Sequence, residues 1–472
     1  MYIEQLYTNC LAEAAYYIES DGFAAVIDPI REPEPYLQLA ASRGAKIIYV
    51  FETHFHADFV SGHIDLAAQT GAKIIYGPNA KPNYTVHNAT DGEKFPLGKL
   101  TIQTVHTPGH TLESTCWLLL DEQGKENAVF TGDTLFIGDV GRPDLASGNM
   151  SSQDLASILY DSLRNKVMTL PDEVLVYPGH GAGSSCGKNL GPEKFSTIGQ
   201  QKQTNYALQE MSKEQFIKEV TDGMLPPPAY FFKDASININ GYPSIEEVRR
   251  HAGTALSAEE VRKHLASGIT VLDTRIPDTF EKGFVPGSIN VGLNGQFAIW
   301  AASLLDMDAP LILITEPDKE IESADRLARV GFHHILGFLN GGIETWKDAG
   351  YKLETILSIS PEEFFARYQQ NHLHILDVRK AGEVEAGHVR NARFQTLETL
   401  EKNLSDLKPD HTYFIHCQGG YRSMMAASIL RKHGFQNLVN IYQGFAGISK
   451  TPVPIVTGLP PQHSETRAGV VL

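Results

Sequence analysis

Over the first half of the chain, short apolar runs alternate with turns marked by glycine and proline. AAVID (Ala24–Asp28), KIIYVFETH (Lys46–His54), AKIIYG (Ala72–Gly77), LTIQTVHTPGH (Leu100–His110), NAVFTGD (Asn127–Asp133) and EVLVYPGH (Glu173–His180) are rich in Ile, Val and aromatic residues and predict strands. Several of these runs close on His or Asp. Ligand-type residues at strand ends sit where a mixed α/β core presents a site. The pattern then changes. MSKEQFIKEV predicts a helix opened by a capping box at Ser212 and Gln215. MLPPPAYF (Met224–Phe231) stops it, because proline lacks an N–H and clashes with the preceding turn; three in a row predict a stiff linker.

The second half repeats itself. LSAEEVRKHL from Leu256 matches ISPEEFFARY from Ile359, and VLDTR (Val271–Arg275) matches ILDVR (Ile375–Arg379). GFHHILGFLNGG (Gly331–Gly342) likewise matches GFQNLVNIYQGF (Gly434–Phe445). Both copies open with a capping box, Ser257/Glu260 and Ser360/Glu363. The unit is too long for a solenoid repeat and predicts a duplicated α/β domain with a parallel sheet. The expected domains are 1–235, 251–355 and 356–460, in keeping with 472 residues, too many for one core.

Composition narrows the function classes. A formal charge of −16 gives nucleic-acid binding no electrostatic support. No apolar run is long enough to cross a bilayer, and MYIEQLYTNCLAEAAYYIES at the start has neither the basic nor the apolar region of a secretory signal. A cytoplasmic protein without membrane contact is expected. The four cysteines, Cys10, Cys116, Cys186 and Cys417, form no CxxC pair, which argues against a zinc ribbon or a disulfide framework. Cys10 and Cys116 lie in apolar, strand-like contexts and read as core.

Four segments occur in order: THFHAD (Thr53–Asp58), TPGHT (Thr107–Thr111), FTGDTLF (Phe130–Phe136) and YPGHG (Tyr177–Gly181). One such His or Asp would ordinarily be a surface or capping residue; four after strand-like runs point to a metal site. Through His54-x-His56-x-Asp58, His110, Asp133 and His180 the first half resembles the metallo-β-lactamase superfamily. That resemblance implies an αββα sandwich with metal at one edge. Dinuclear zinc hydrolases of the family, such as glyoxalase II, read HxHxDH, whereas Phe59 follows Asp58 here. A phenyl ring cannot ligate, so the second metal position loses a donor.

What remains matches the two-histidine, one-carboxylate set of non-heme Fe(II) oxygenases. The resemblance extends to persulfide dioxygenases, which implies one Fe(II) per chain on His54, His110 and Asp133. His56, Asp58 and His180 would orient ligands or move protons; the sequence leaves His56 open as a ligand. Phe130–Gly148 resembles the persulfide dioxygenase loop. Its Arg142 is either a surface residue or an anchor for a carboxylate or phosphate of the thiol carrier. Cys186 lies in the glycine-rich GHGAGSSCGKNLG, either an inert core thiol or a reactive one near the substrate.

The second repeat contains YFIHCQGGYRSMMAASILRKHGF (Tyr413–Phe435). Cys417 ends a β-run and precedes Gly419, Gly420, Arg422 and a helix. Glycine backbone can turn N–H groups inward, a helix N-terminus adds positive potential and Arg422 adds charge; all favour a thiolate. This region resembles a rhodanese domain with Cys417 accepting sulfur, and Asp377 and Arg379 match a structural family position. In the first repeat, LILITEPDKEIESADRL (Leu311–Leu327) sets Glu316 at the place of Cys417 and lacks the glycines, so that copy reads as catalytically dead.

The whole reads as an α/β protein, a metallo-β-lactamase sandwich followed by two rhodanese-like domains. The resemblance implies oxidation of a low-molecular-weight thiol persulfide by O2 to sulfite, with thiosulfate as an onward product and sulfide detoxification as the role. It also implies a homo-oligomer. The alternatives are a glyoxalase II-type zinc thioesterase fused to rhodanese domains, and a non-enzymatic persulfide carrier.

Overall fold

The computed structural model describes residues 1–145, 150–370 and 372–459. Ala146–Gly148 of the Phe130–Gly148 loop, and residue 460 at the end of the third expected domain, lie outside the described residues. The chain forms two compact units, Met1–Val248 with Asp325–His333, and Arg249–Ala324 with the chain from His334 onward.

In the first unit all six apolar runs form strands, including Phe23–Ile27, Lys46–Phe51, Leu100–His106, Glu126–Gly132 and Leu175–Pro178. Strands also form at Tyr2–Thr8, Glu13–Ser20 and Thr115–Leu120. The last two are apolar on both faces, so no polar alternation marks them. Their period of two is visible only in packing. Ala14, Tyr16 and Ile18 enter one core, while Ala15 and Tyr17 enter another. Trp117 and Leu119 likewise face away from Cys116, Leu118 and Leu120.

These strands build two six-stranded sheets, each in sequence order. Phe51 and Ile75 of one meet Ile102, Trp117 and Phe130 of the other, closing the central core. Tyr36, Ala40 and Leu66 on two helices cover the outer face of the first sheet; Leu159, Leu163 and Phe216 cover that of the second. The result is the expected αββα sandwich. Cys116 is core, but Cys10 is not: it sits half-exposed in the turn after Tyr2–Thr8. The triple proline lies inside this unit, because the helix that follows it, Phe231–Asn240, belongs to the same body.

The second unit holds two five-stranded parallel sheets with the same strand order, one per repeat. In each, a strand carrying the DxR motif, Thr270–Asp273 or His374–Asp377, lies beside the strand that precedes the sulfur-transfer loop or its counterpart. The aspartates align the copies residue by residue: Asp273 pairs with Ile314, and Asp377 with His416. Thr315, not Glu316, therefore stands where Cys417 stands. The first loop is one residue longer before its helix begins at Glu320, against Tyr421 in the second copy. Counting back from the helix gives Glu316; counting from the strand, which is hydrogen-bonded into the sheet, gives Thr315. Among the described residues no helix is long and apolar enough to cross a membrane.

Candidate functional site

All four His- and Asp-bearing segments follow strands at one edge of the sandwich. His54, His110 and Asp133 each offer an atom within 4.8 Å of the others. The glycines of the motifs permit this approach. A Cβ on Gly141 would lie 1.9 Å from the Asp133 carbonyl oxygen, and one on Gly179 would lie 2.8 Å from Asp133 Oδ1.

Hydrogen bonds decide which nitrogen each histidine presents. Thr53 Oγ1 donates to Asp28 Oδ2 at 2.8 Å, so at 2.9 Å it accepts from His54 Nδ1. His110 Nδ1 donates to the Arg142 carbonyl at 2.8 Å, since a carbonyl only accepts. Both imidazoles thus carry the proton on Nδ1 and a lone pair on Nε2, the form that binds metal. Their Nε2 atoms lie 3.9 and 3.5 Å from Asp133 Oδ2. That oxygen is buried and has no hydrogen-bond partner among the described residues. Bonds of about 2.1 Å to one ion span donor separations up to about 4.2 Å. The three groups therefore fit a single metal ion.

His180 occupies the other side of Asp133. Its Nδ1 lies 2.7 Å from Asp133 Oδ1 and its Nε2 lies 2.8 Å from Asp58 Oδ2. Burial alone would lower its pKa, but Asp133 and Asp58 raise it well above the ordinary value, so it is an imidazolium. Burial would also raise the Asp133 carboxyl, yet His180, by its charge and its hydrogen bond, holds it far below the usual carboxylate range. Asp58, His180 and Cys186 form a second group of three with atoms within 4.8 Å of one another. Burial, then Asp58 and Asp133, push the Cys186 thiol well up, which keeps it protonated. The Phe59 ring is fully buried and packs 4.3 Å from that of His56. His56 joins Asp28 and Glu52 in a third group and is not in the group of His54, His110 and Asp133. Its Nε2 lies 3.1 Å from Asp28 Oδ1.

Arg142 is bound by the chain itself. Its Nε and Nη2 donate to Asp144 at 2.6 and 2.8 Å, and it reaches the carbonyls of Ser185 and Leu225. Its link to the metal group runs through its backbone carbonyl on His110.

Asn238 carried no signal in the sequence. From Phe231–Asn240 its Nδ2 donates to the carbonyls of His56 and Phe59, both at 2.8 Å, and its Oδ1 accepts from Ser61 N–H at 3.0 Å. It clamps the HxHxDF loop. Asn238→Ala should leave these buried groups unpaired and cost about 3 kcal/mol, read as a lower denaturation midpoint together with weaker metal retention.

In the second unit, Cys417 is buried at the end of strand Tyr413–His416. The Gly420 N–H donates to its Sγ at 3.1 Å, and Gly420, at φ +103, opens the helix Tyr421–Lys432. That backbone angle favours glycine. Gly419 lies between them in the loop. Arg422 does not point a free charge at the sulfur: its Nη1 and Nη2 donate to Glu383 at 2.6 and 2.7 Å. Asp377 and Arg379 form a buried ion pair, and Arg379 also donates to the Gly387 carbonyl. The first repeat copies this in Asp273, Arg275 and Gly283. Its loop holds Pro317, which has no N–H to offer a thiolate. Thr315→Cys in a Cys417→Ser background should therefore stay inactive in sulfur transfer. Turnover of thiosulfate to thiocyanate above background in that protein would show the first repeat to be a cryptic site.

The Metallo-beta-lactamase superfamily model matches residues 8–180, and the Rhodanese-like domain model matches 257–349 and 360–451. The chain is 30% identical over 206 residues to the human "Persulfide dioxygenase ETHE1, mitochondrial", spanning 43% of this chain and 74% of that protein. It is 31% identical over 172 residues to the Schizosaccharomyces pombe "Probable hydroxyacylglutathione hydrolase glo2", spanning 35% of this chain and 62% of that one, less than two thirds of its length. A metallo-beta-lactamase structure from Staphylococcus aureus subsp. aureus COL matches with a TM-score of 0.63 at 30% identity, over 72% of this chain and 98% of that one. The relatives include both a dioxygenase and a hydrolase at similar identity, so the choice of reaction rests on the site residues. The chain belongs to the metallo-β-lactamase superfamily and carries two rhodanese-like domains behind its metallo-β-lactamase domain.

Proposed function

We propose that the first domain is a persulfide dioxygenase with one Fe(II) on His54, His110 and Asp133, and that Cys417 carries sulfane sulfur. The overall reaction would be RSSH + O2 + H2O giving RSH, sulfite and two protons. Bound iron would supply the redox and O2 chemistry that side chains lack. The observation that carries this reading is the engagement of His180 with both Asp58 and Asp133, beside Phe59. It leaves one carboxylate oxygen and two imidazoles facing a common point. The chain's own work is to hold those three atoms in place. Thr53 and Arg142 fix the tautomers, and the His180 imidazolium holds Asp133 Oδ1 and keeps a proton at Nε2 beside Asp58. Arg142, already bound to Asp144, serves this reading as a positioning residue.

The test is metal content after anaerobic preparation, combined with O2 uptake on glutathione persulfide. The reading requires about one iron per chain and persulfide-dependent uptake. The grouping of Asp58, His180 and Cys186 favours a second reading, a zinc thioesterase of the glyoxalase II type. Two tightly held zinc ions with thioester hydrolysis, and no O2 uptake, would establish that one instead.

A further inference from the structure

Within the cysteine-bearing repeat, a cavity of about 280 Å³ opens at the end of the sheet away from Cys417. His374 and Tyr413 line it; they begin neighbouring parallel strands and pair across the sheet. Asp377 and His416 end the same strands, beside Cys417. Three residue steps of a parallel strand, about 10 Å, separate the two ends, and α/β sheets present their catalytic ligands at the C-terminal one. We propose that the cavity binds a small divalent oxyanion of sulfur or phosphorus, held by His374, His411, Lys408 and Arg393. This site stands independently of the reading of either active site.

The lining is rich in donors. The His374 and His411 rings stack with centroids 4.0 Å apart and planes 14° apart. The exposed Lys408 lies beside them in the same wall. The Tyr413 hydroxyl accepts the Lys408 N–H at 2.8 Å and keeps its own proton to donate. Arg393 donates from Nη1 to the Asp406 carbonyl at 2.8 Å and from Nη2 to the Asp406 carboxylate at 3.2 Å. Its Nε is buried and has no hydrogen-bond partner among the described residues. An oxyanion accepts from all of these groups, and most strongly from the charged ones. A metal ion does not fit: Lys408 repels it, and no third ligand converges with the two histidines among the described residues. The volume falls just below that of drug-sized ligand clefts and suits a small ion with its waters.

The cysteine-less repeat serves as an internal control. Sheet register aligns His374 with Thr270, Tyr413 with Leu311 and Arg393 with Ile289. The turn before the second strand is the same in both copies: Ala309 N–H donates to the Asp306 carbonyl, and His411 N–H to the Lys408 carbonyl. Ala309 therefore stands in the place of His411, and Asp306 in that of Lys408. The first repeat builds the same sheet order with none of these cations. The fold does not call for them, so their gathering in the second copy points to a ligand.

Charge makes binding depend on pH. Burial, then His411 and Lys408, lower the His374 pKa, while Asp410 acts the other way. His374 is therefore neutral near neutral pH, where Asp406 and Asp410 balance Lys408 and Arg393. A dianion against the stacked rings reverses the sign and favours their charged form. Binding then takes up protons, so the affinity rises as the pH falls through the histidine range.

The experiment is calorimetric titration of the full chain with sodium sulfate, at ionic strength held constant by chloride. Sulfate stays a dianion throughout, and it should bind about tenfold more tightly at about pH 6 than at about pH 8, with net proton uptake. Lys408→Ala and His374→Asn should each weaken binding at the lower pH by about tenfold, the loss of one charge-assisted contact. Both side chains are exposed, and either variant alone is a sufficient test should the other misfold. Sulfate affinity unchanged in both variants, or no saturable binding at millimolar sulfate, overturns the assignment. So does zinc binding that needs both histidines in a protein indifferent to sulfate. Phosphate titrated at the same pH separates the sources: a preference for sulfate assigns the site to sulfur oxyanions, and equal affinity to tetrahedral oxyanions as a class. Either result upholds the site.

Discussion

His110→Ala is expected to leave the purified protein nearly free of iron and to cut persulfide-dependent O2 uptake by at least about 100-fold. Losing a residue that merely orients a ligand already costs 10- to 100-fold in metal affinity or activity, and His110 would be a ligand. The loss is not compensated nearby. His180 has both nitrogens against carboxylates, and His56 has its Nε2 against Asp28. Asp133 Oδ2, already without a hydrogen-bond partner among the described residues, would face His54 as its one remaining co-ligand of the set. Sulfur transfer from thiosulfate to cyanide should survive, because Cys417 sits in the other compact unit. Metal analysis and an oxygen electrode read the first effect; thiocyanate formation reads the second. Iron retained at wild-type level would remove His110 from the ligand set.

Cys417→Ser is expected to abolish sulfur transfer, by about a thousandfold or more, as loss of a nucleophile does elsewhere. A hydroxyl cannot hold a sulfane sulfur, and neither buried cysteine of the first unit offers a substitute. Cys116 is buried, its thiol pushed up to about 11 mainly by burial, and Cys186 is held protonated by burial and two carboxylates. O2 uptake on glutathione persulfide should persist in this variant. If it falls as far as in His110→Ala, the persulfide reaches the metal only through Cys417, and the two centres act in series.

Much of the fold was legible because its signals are local. Six strands showed as short apolar runs, and both repeats showed in matched DxR and glycine motifs. Candidate residues stood out by standing next to glycine at strand ends, where a side chain would block close approach. Strands such as Thr115–Leu120 were hidden because burial on both faces erases the alternation that marks a strand. The place of Cys417 in the first repeat was misjudged by one residue for a related reason. A loop insertion shifts the count from the helix, while the register is held by the sheet ladder, which the linear chain does not display.

Sequence by itself determined the residue types and their order: two rhodanese-like repeats, one with cysteine and one without, behind a domain with Phe59 where a metal donor is expected. These follow from what side chains can and cannot do, and no packing changes them. Only the tertiary structure decided which atoms are free to act. It turned His54 and His110 to present Nε2, left Asp133 with one open oxygen and tied Arg422 to Glu383. Each of these depends on a partner tens of residues away or on the tautomer that a neighbour selects. Hydrogen bonding and burial act over a few ångströms in space, and they are indifferent to distance along the chain.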